Sequence, residues 1–226
     1  MRAIHVVRAL LAAGVLPLAS VSAPPAHAAL PVQVSCGESA LVDAINKANA
    51  AGGGSLTLAS VCTYTLTSAH SSGGSGHPPG LPNITTPISM TGFFTQITRA
   101  PGAPAFRIFE VDGAAQVPGA NGRLSLTTVT VSGGDAGLGV GGGIANLGGA
   151  VTLTSSTVSN SKASYGGGIY TDGALTLTSG TVTGNTAGVA GGGIFTNAGT
   201  ATLTASPVFG NQPTNCDAPP PAVPSC

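Results

Sequence analysis

The chain has 226 residues, of which only 6% are charged, with seven Lys and Arg against seven Asp and Glu. Soluble domains average roughly 25% charged residues, so uncharged Ser, Thr, Asn and Gly must cover most of this surface. Because nucleic-acid phosphates are bound by clustered cations, the composition predicts no nucleic-acid partner. The sequence also contains no group of metal-ligand side chains, so we predict neither a metal nor a cofactor.

The segment 1–28 has the form of a secretory signal peptide. Arg2 and Arg8 flank the start of an apolar run that continues to Ala23, and Ala26-His27-Ala28 has the small-x-small form of a cleavage site. After Ala28 no apolar stretch approaches the ~20 residues of a membrane-spanning helix. We therefore predict an exported protein, extracellular or associated with the cell envelope, without a transmembrane anchor in the mature chain.

Residues 29–62 are predicted to form an N-terminal cap with one helix and a first strand. The segment 39–51, SALVDAINKANAA, places apolar residues at helical spacing. Ser39 is the expected N-cap, and three glycines follow the segment. A short amphipathic helix here would cover strand edges that otherwise recruit another molecule.

From residue 63 to 215 the pattern changes to short alternating strands separated by Gly, Pro and Asn. One segment, 69–80, has the low-complexity sequence AHSSGGSGHPPG and is predicted to be a flexible surface loop. The remainder indicates an all-β domain made of many short strands.

Two phrases recur in the second half of the chain. Gly-Gly-Gly-Ile occurs at 141–144, 166–169 and 191–194, so that its isoleucines are separated by the same interval each time. Between these boxes runs a Leu-Thr phrase with a Val at a fixed distance after the Leu. A fixed period of this length predicts a β-solenoid of roughly six to seven coils, in which Leu and Val point inward and Thr points outward. The inward repeat residues are Ile144, Ile169, Ile194, Leu153, Leu177, Leu203, Val158, Val182 and Val208.

The segment VTGNTAGVAGGGIF, at 182–195, resembles the repeat of the chlamydial polymorphic outer-membrane proteins. The whole mature chain is similar to bacterial secreted right-handed parallel β-helix proteins that carry a helical cap bounded by cysteines. This resemblance implies a right-handed, single-stranded parallel β-helix and export to the cell surface. The shared motif is structural and carries no catalytic residue.

Four cysteines in an exported chain predict two disulfides. Six stacked turns at about 4.8 Å each would hold the two ends of the solenoid roughly 30 Å apart, whereas a disulfide joins Cα atoms within about 7 Å. Local pairing is therefore favoured, Cys36 with Cys62 and Cys216 with Cys226, and the second pair would close a C-terminal tail at 216–226.

Asn160, Asn185 and Asn211 recur near the end of successive repeats. Stacked asparagines can satisfy one another and the backbone of the turns. We expect these three residues to form a structural ladder inside the solenoid.

Many parallel β-helices cleave polysaccharides with acids that converge on one groove. Here the interval between Asp112 and Asp135 is close to one repeat, and Arg107 and Arg123 accompany them. These four are the candidate catalytic residues if the protein is a polysaccharide lyase or a glycoside hydrolase.

Outward threonines suggest a further alternative. Ser125 and Thr127, Thr152 and Thr154, Thr176 and Thr178, and Thr202 and Thr204 would form three or four ranks with a spacing similar to that of ice-binding solenoids. The favoured interpretation remains a non-catalytic protein with long polar faces that contact a polysaccharide, another glycan or the cell envelope, since so few ionisable groups converge.

Overall fold

The computed structural model describes residues 30–72 and 77–218. The predicted signal peptide and Cys226 lie outside these residues. The described chain contains one helix, α1 (Glu38–Ala50), and is otherwise built of strands. The strands are β1 (Val32–Val34), β2 (Gly54–Leu58), β3 (Thr63–Leu66), β4 (Pro87–Arg99), β5 (Phe109–Asp112), β6 (Arg123–Ser132), β7 (Ile144–Leu147), β8 (Ala150–Thr154), β9 (Thr157–Ser159), β10 (Lys162–Tyr165), β11 (Ile169–Thr171), β12 (Ala174–Thr178), β13 (Thr181–Thr183), β14 (Thr186–Ala190), β15 (Ile194–Thr196), β16 (Thr200–Thr204), β17 (Val208–Phe209) and β18 (Cys216–Asp217).

The strands form parallel sheets, and each strand pairs with a strand of the neighbouring repeat. The largest sheet has the order β1-β2-β4-β6-β8-β12-β16, with β3, β9, β13 and β17 joined to it. A second sheet has the order β18-β15-β11-β7-β5, and β10 pairs with β14. The mostly β, parallel architecture expected from the repeats is therefore present.

The sequence period sets the strand register. Ile169 is aligned with Ile144 on one side and with Ile194 on the other, and all three are fully buried. Leu153, Leu177 and Leu203 are likewise aligned in adjacent strands, as are Val158, Val182 and Val208. Leu203, in the last of these repeats, is only partly buried. Equivalent apolar side chains thus stack in columns, and burying them stabilises each repeat against its neighbours.

Helix α1 packs Leu41, Ala44, Ile45 and Ala48 into the same core. Its first residue is Glu38 and its N-cap is Gly37, which makes no side-chain capping bond, so the prediction of Ser39 as N-cap was wrong. The disulfide between Cys36 and Cys62 joins the start of this segment to the strand region, with a Cα separation of 5.8 Å. Cys216 is also disulfide-bonded.

The polar ladder exists, but with different members from those predicted. Asn185 is fully buried, accepts from the Ser161 amide at 3.0 Å and donates to the Asn211 side chain at 3.0 Å. Asn160 is exposed at a left-handed φ of 52°, a conformation that Gly184 and Gly210 adopt in the next two repeats. Asparagine tolerates this conformation, so Asn160 occupies the corner and Ser161 takes the inward position.

No helix among the residues described is long and apolar enough to cross a membrane.

Candidate functional site

The outward face of the sheet β5-β7-β11-β15 carries the most distinctive chemistry of the described chain. Its inward residues, such as Ile169 and Ile194, belong to the main core. The residues that follow them, Tyr170 and Phe195, are aligned with each other and belong to a separate apolar cluster. Because successive strand residues point to opposite faces, this second cluster lies on the outside of the sheet.

The cluster forms a hollow of about 510 Å³, which we call the aromatic hollow. The Tyr170 and Phe195 rings are nearly parallel, with centroids 5.8 Å apart and an interplanar angle of 10°. The Tyr165 ring is tilted against Phe195 at 59°, with a centroid distance of 5.0 Å, and is 36% exposed. The lining residues are Val140, Tyr165, Tyr170, Phe195, Asn197 and Ala218.

One carboxylate organises the polar edge of the aromatic hollow. Asp172 Oδ1 accepts the Tyr170 hydroxyl at 2.9 Å and the Asn197 side-chain amide at 2.8 Å. Burial, together with the bond to Asp172 and its negative charge, raises the pKa of Tyr170 well above its usual value. The phenol is therefore a neutral donor to Asp172, and this hydrogen bond holds the Tyr170 ring in place.

The glycine boxes allow adjacent repeats to approach closely enough to align these rings. A Cβ on Gly167 would lie 2.4 Å from the Thr186 carbonyl oxygen, and one on Gly168 would lie 2.7 Å from that of Gly193. A side chain at either position would push the repeats apart. The hollow was not predicted from the sequence, although Ala145, Tyr170 and Phe195 directly follow the isoleucines of the three boxes.

Two of the predicted catalytic residues lie in a fully buried charged cluster. Arg107, Glu110 and Asp112 have no exposed surface. Arg107 Nη1 donates to Glu110 Oε2 at 2.7 Å. Asn83 Nδ2 bridges the two acids, at 2.9 Å from Glu110 Oε1 and 2.7 Å from Asp112 Oδ2. These groups face one another and are closed to a polymeric substrate.

Burial dominates the electrostatics of this cluster. It lowers the pKa of Arg107, which the charges of Glu110 and Asp112 partly offset. It raises the pKa of Asp112, although the bond from Asn83 and the charge of Arg107 act in the opposite direction. Two nitrogens of Arg107 and one oxygen each of Asp112 and Asn83 are buried without a hydrogen-bond partner. Burying these charges with unpaired atoms makes the cluster a weak source of stability.

The other two predicted catalytic residues lie elsewhere. The Asp135 amide donates to the Phe106 carbonyl oxygen, and its carboxylate accepts from the Gly137 amide. Arg123 is exposed at the start of β6, where its Nε is 3.4 Å from Asn121 Oδ1. Asp112 is aligned with Leu147 rather than with Asp135. Asp112 and Asp135 are therefore not aligned with each other, although the interval between them is close to one repeat. No group of three or more His, Cys, Asp and Glu side chains that could hold a metal ion occurs within residues 30–72 and 77–218.

The threonine array has more ranks than the three or four predicted from the sequence. Parallel registers align Thr57, Thr91, Thr127, Thr154, Thr178 and Thr204 in one column across six strands. A second column, two positions earlier in each strand, contains Ser55, Ser89, Ser125, Thr152, Thr176 and Thr202. All twelve side chains are partly or fully exposed. The array is thus a regular hydroxyl surface on the largest sheet.

Comparison of the chain with protein-family models, with curated protein sequences and with solved structures yields no match.

Proposed function

We propose that this chain is an exported, right-handed parallel β-helix protein that binds a glycan in the aromatic hollow without cleaving it. The observation that carries the proposal is the fixed arrangement of Tyr165, Tyr170 and Phe195 around one open hollow, outside the main core. The repeat period and the parallel registers support the helical architecture, and the form of the segment 1–28 supports export.

The hollow has the size and chemistry of a small-ligand site. Ligand pockets occupy about 300–1,000 Å³ and combine apolar walls with a few oriented polar groups. Here the half-exposed Tyr165 ring and the edges of the buried Tyr170 and Phe195 rings form the apolar wall, and Asn197, which is bonded to Asp172, forms the polar edge. A pyranose ring presents apolar C–H groups on its faces and hydroxyls at its rim, so its faces match the rings and its rim matches the polar edge.

A binding role is favoured over catalysis because the carboxylates that lie beside Arg107, those of Glu110 and Asp112, are inaccessible to a glycan. General acid–base chemistry needs a side chain within hydrogen-bond reach of the reacting atoms. Glu110 and Asp112 are fully buried against Arg107 and Asn83. We expect no release of new chain ends from any polysaccharide, and such release would overturn this part of the proposal.

The test is to incubate the oxidised mature protein with a panel of soluble and insoluble polysaccharides and to record both co-sedimentation and new chain ends. The variant Phe195→Ala removes the central ring, and we expect it to lose retention. Phe209→Ala is the matched control, because Phe209 is 53% exposed on β17 and does not line the hollow. Equal retention of both variants would refute the assignment of the hollow as the binding site.

The six aligned ranks of hydroxyls favour a second candidate, an ice-binding surface. The columns are spaced about 7 Å along the strands and about 4.8 Å between strands. If this surface binds ice, the native protein shows thermal hysteresis, and replacing Thr176 and Thr178 with tyrosine abolishes it. The same replacement at Thr181 and Thr183 of β13, outside the two columns, is the control. Absence of thermal hysteresis in the native protein would end this candidate.

A further inference from the structure

We infer that the aromatic hollow selects glycans that carry hydrogen-bond donors and no carboxylate, and that a sugar ammonium group strengthens binding. This inference rests on the proposed function, since it concerns the ligand of the same site.

The hydrogen bonds inside the hollow decide which polar groups remain for a ligand. The Tyr170 hydroxyl hydrogen and one Asn197 amide hydrogen point to Asp172 Oδ1. Asn197 also hydrogen-bonds to Tyr170, so the acceptor that remains for a ligand is the side-chain oxygen of Asn197, which lines the hollow. The polar edge therefore fits ligand hydroxyl and N–H groups and does not fit a ligand carboxylate, which has no proton to donate.

The negative charge near the hollow also disfavours a ligand carboxylate. Asp172 contributes a carboxylate behind the polar edge, and Asp217 is aligned with Phe195 on the next strand, β18. None of the six residues that line the hollow is basic. An ammonium group over the exposed Tyr165 ring would be attracted both by these carboxylates and by the ring face. A uronate would be repelled.

Three β-1,4-linked oligomers of equal length test the inference, because they share one backbone: glucose, glucosamine and glucuronate. Affinity is measured by calorimetry in mildly acidic, low-salt buffer, in which the amine is protonated. We expect glucosamine to bind tighter than glucose by about fivefold, the effect of one screened charge pair, and glucuronate to bind at least tenfold more weakly than glucose.

The variant Asp172→Asn isolates the charge. Asparagine keeps an oxygen that accepts from Tyr170 and Asn197, so the rings stay in place while the negative charge is removed. We expect the ratio of glucosamine affinity to glucose affinity to fall toward one in this variant. Asp43→Asn, on the exposed face of α1, removes the same charge far from the hollow and should leave the preference unchanged.

The possible failures are distinguishable. If glucose binds and Phe195→Ala abolishes binding, but glucuronate binds as well as glucose, the proposed function stands and the charge selection is refuted. If glucosamine preference is the same in Asp172→Asn as in the native protein, Asp172 is not its source and the inference is overturned. If none of the three oligomers binds, both the inference and the hollow as a glycan site fail.

Discussion

Replacing Asn185 with alanine tests how the interior polar ladder holds adjacent repeats together. Asn185 is fully buried, and its side chain spans three repeats. Its Oδ1 accepts from the Ser161 amide at 3.0 Å, and its Nδ2 donates to the Val158 carbonyl oxygen at 3.1 Å and to Asn211 Oδ1 at 3.0 Å. The substitution removes all three bonds.

The expected loss follows from the groups left behind. Asn211 Oδ1 keeps a bond from the Asn185 backbone amide at 2.9 Å, so the Ser161 amide and the Val158 carbonyl are the two groups that lose a partner. A buried group without a partner costs about 1–3 kcal/mol. For two such groups we expect Asn185→Ala to lower the free energy of unfolding by about 2 to 6 kcal/mol, a large part of the 5–15 kcal/mol typical of a domain.

Chemical denaturation with the disulfides intact measures this change as a shift of the midpoint at constant slope. Asn160→Gly is the matched control, since Asn160 is exposed at φ 52°, where the next two repeats already have glycine. We expect the control to change the free energy of unfolding by less than about 0.5 kcal/mol. If both variants lose the same free energy, or if Asn185→Ala loses none, the ladder does not hold the repeats together as described.

Two further predictions concern packing and pH. Gly167→Ala would place a Cβ 2.4 Å from the Thr186 carbonyl oxygen and should lower the free energy of unfolding by about 1–3 kcal/mol. Gly188→Ala is the control and should be neutral, because the nearest atom to its added Cβ would be 4.0 Å away. Equal effects of the two variants would contradict the close approach of the repeats. Asp112 has a raised pKa in the folded protein, so its contribution to stability is fully present below its unfolded pKa of about 3.9 and is lost as the pH rises through its folded pKa. Denaturation from acidic to neutral pH should show Asp112→Asn gaining stability relative to the native protein as the pH rises, and a difference independent of pH would refute this assignment.

The periodic part of the fold was accessible from the sequence because its signal is repeated. Ile144, Ile169 and Ile194 are equally spaced in the chain and aligned in the sheet. A single apolar residue leaves helix and strand equally open, whereas three at one spacing in matching contexts fix the register. The parallel pairing and the inward columns followed from that register.

The structural consequence of a one-residue shift was not predicted. The sequence shows that Asn160 stands one position before the place that Asn185 and Asn211 occupy, but residue type suggested that all three were equivalent. The left-handed backbone at the corner determines which residue points inward, because Asn or Gly adopts this conformation and the next residue in the chain then enters the interior. Ser161, which carried no sequence signal, therefore joins the ladder.

The site residues were predicted poorly because exposure was inferred from charge. Arg107 and Asp112 would normally lie at the surface, but both are fully buried, and Asn83 of the adjacent, parallel segment supplies hydrogen bonds to Glu110 and Asp112. Asn83 lies outside the two recurring phrases, so no period reveals these contacts. Conversely, Tyr170 and Phe195 would be assigned to a core by composition alone, and only the strand alternation places them on the outer face of the sheet.

The most direct test of the aromatic hollow as a glycan site is the affinity of the native protein, Phe195→Ala and Phe209→Ala for β-1,4-linked glucosamine oligomers. It is measured by calorimetry well below the melting temperatures of all three proteins. If the hollow is the glycan site, the native protein and the Phe209→Ala control bind these oligomers and Phe195→Ala does not. Binding that survives the loss of Phe195, or the absence of binding by the native protein, would contradict it.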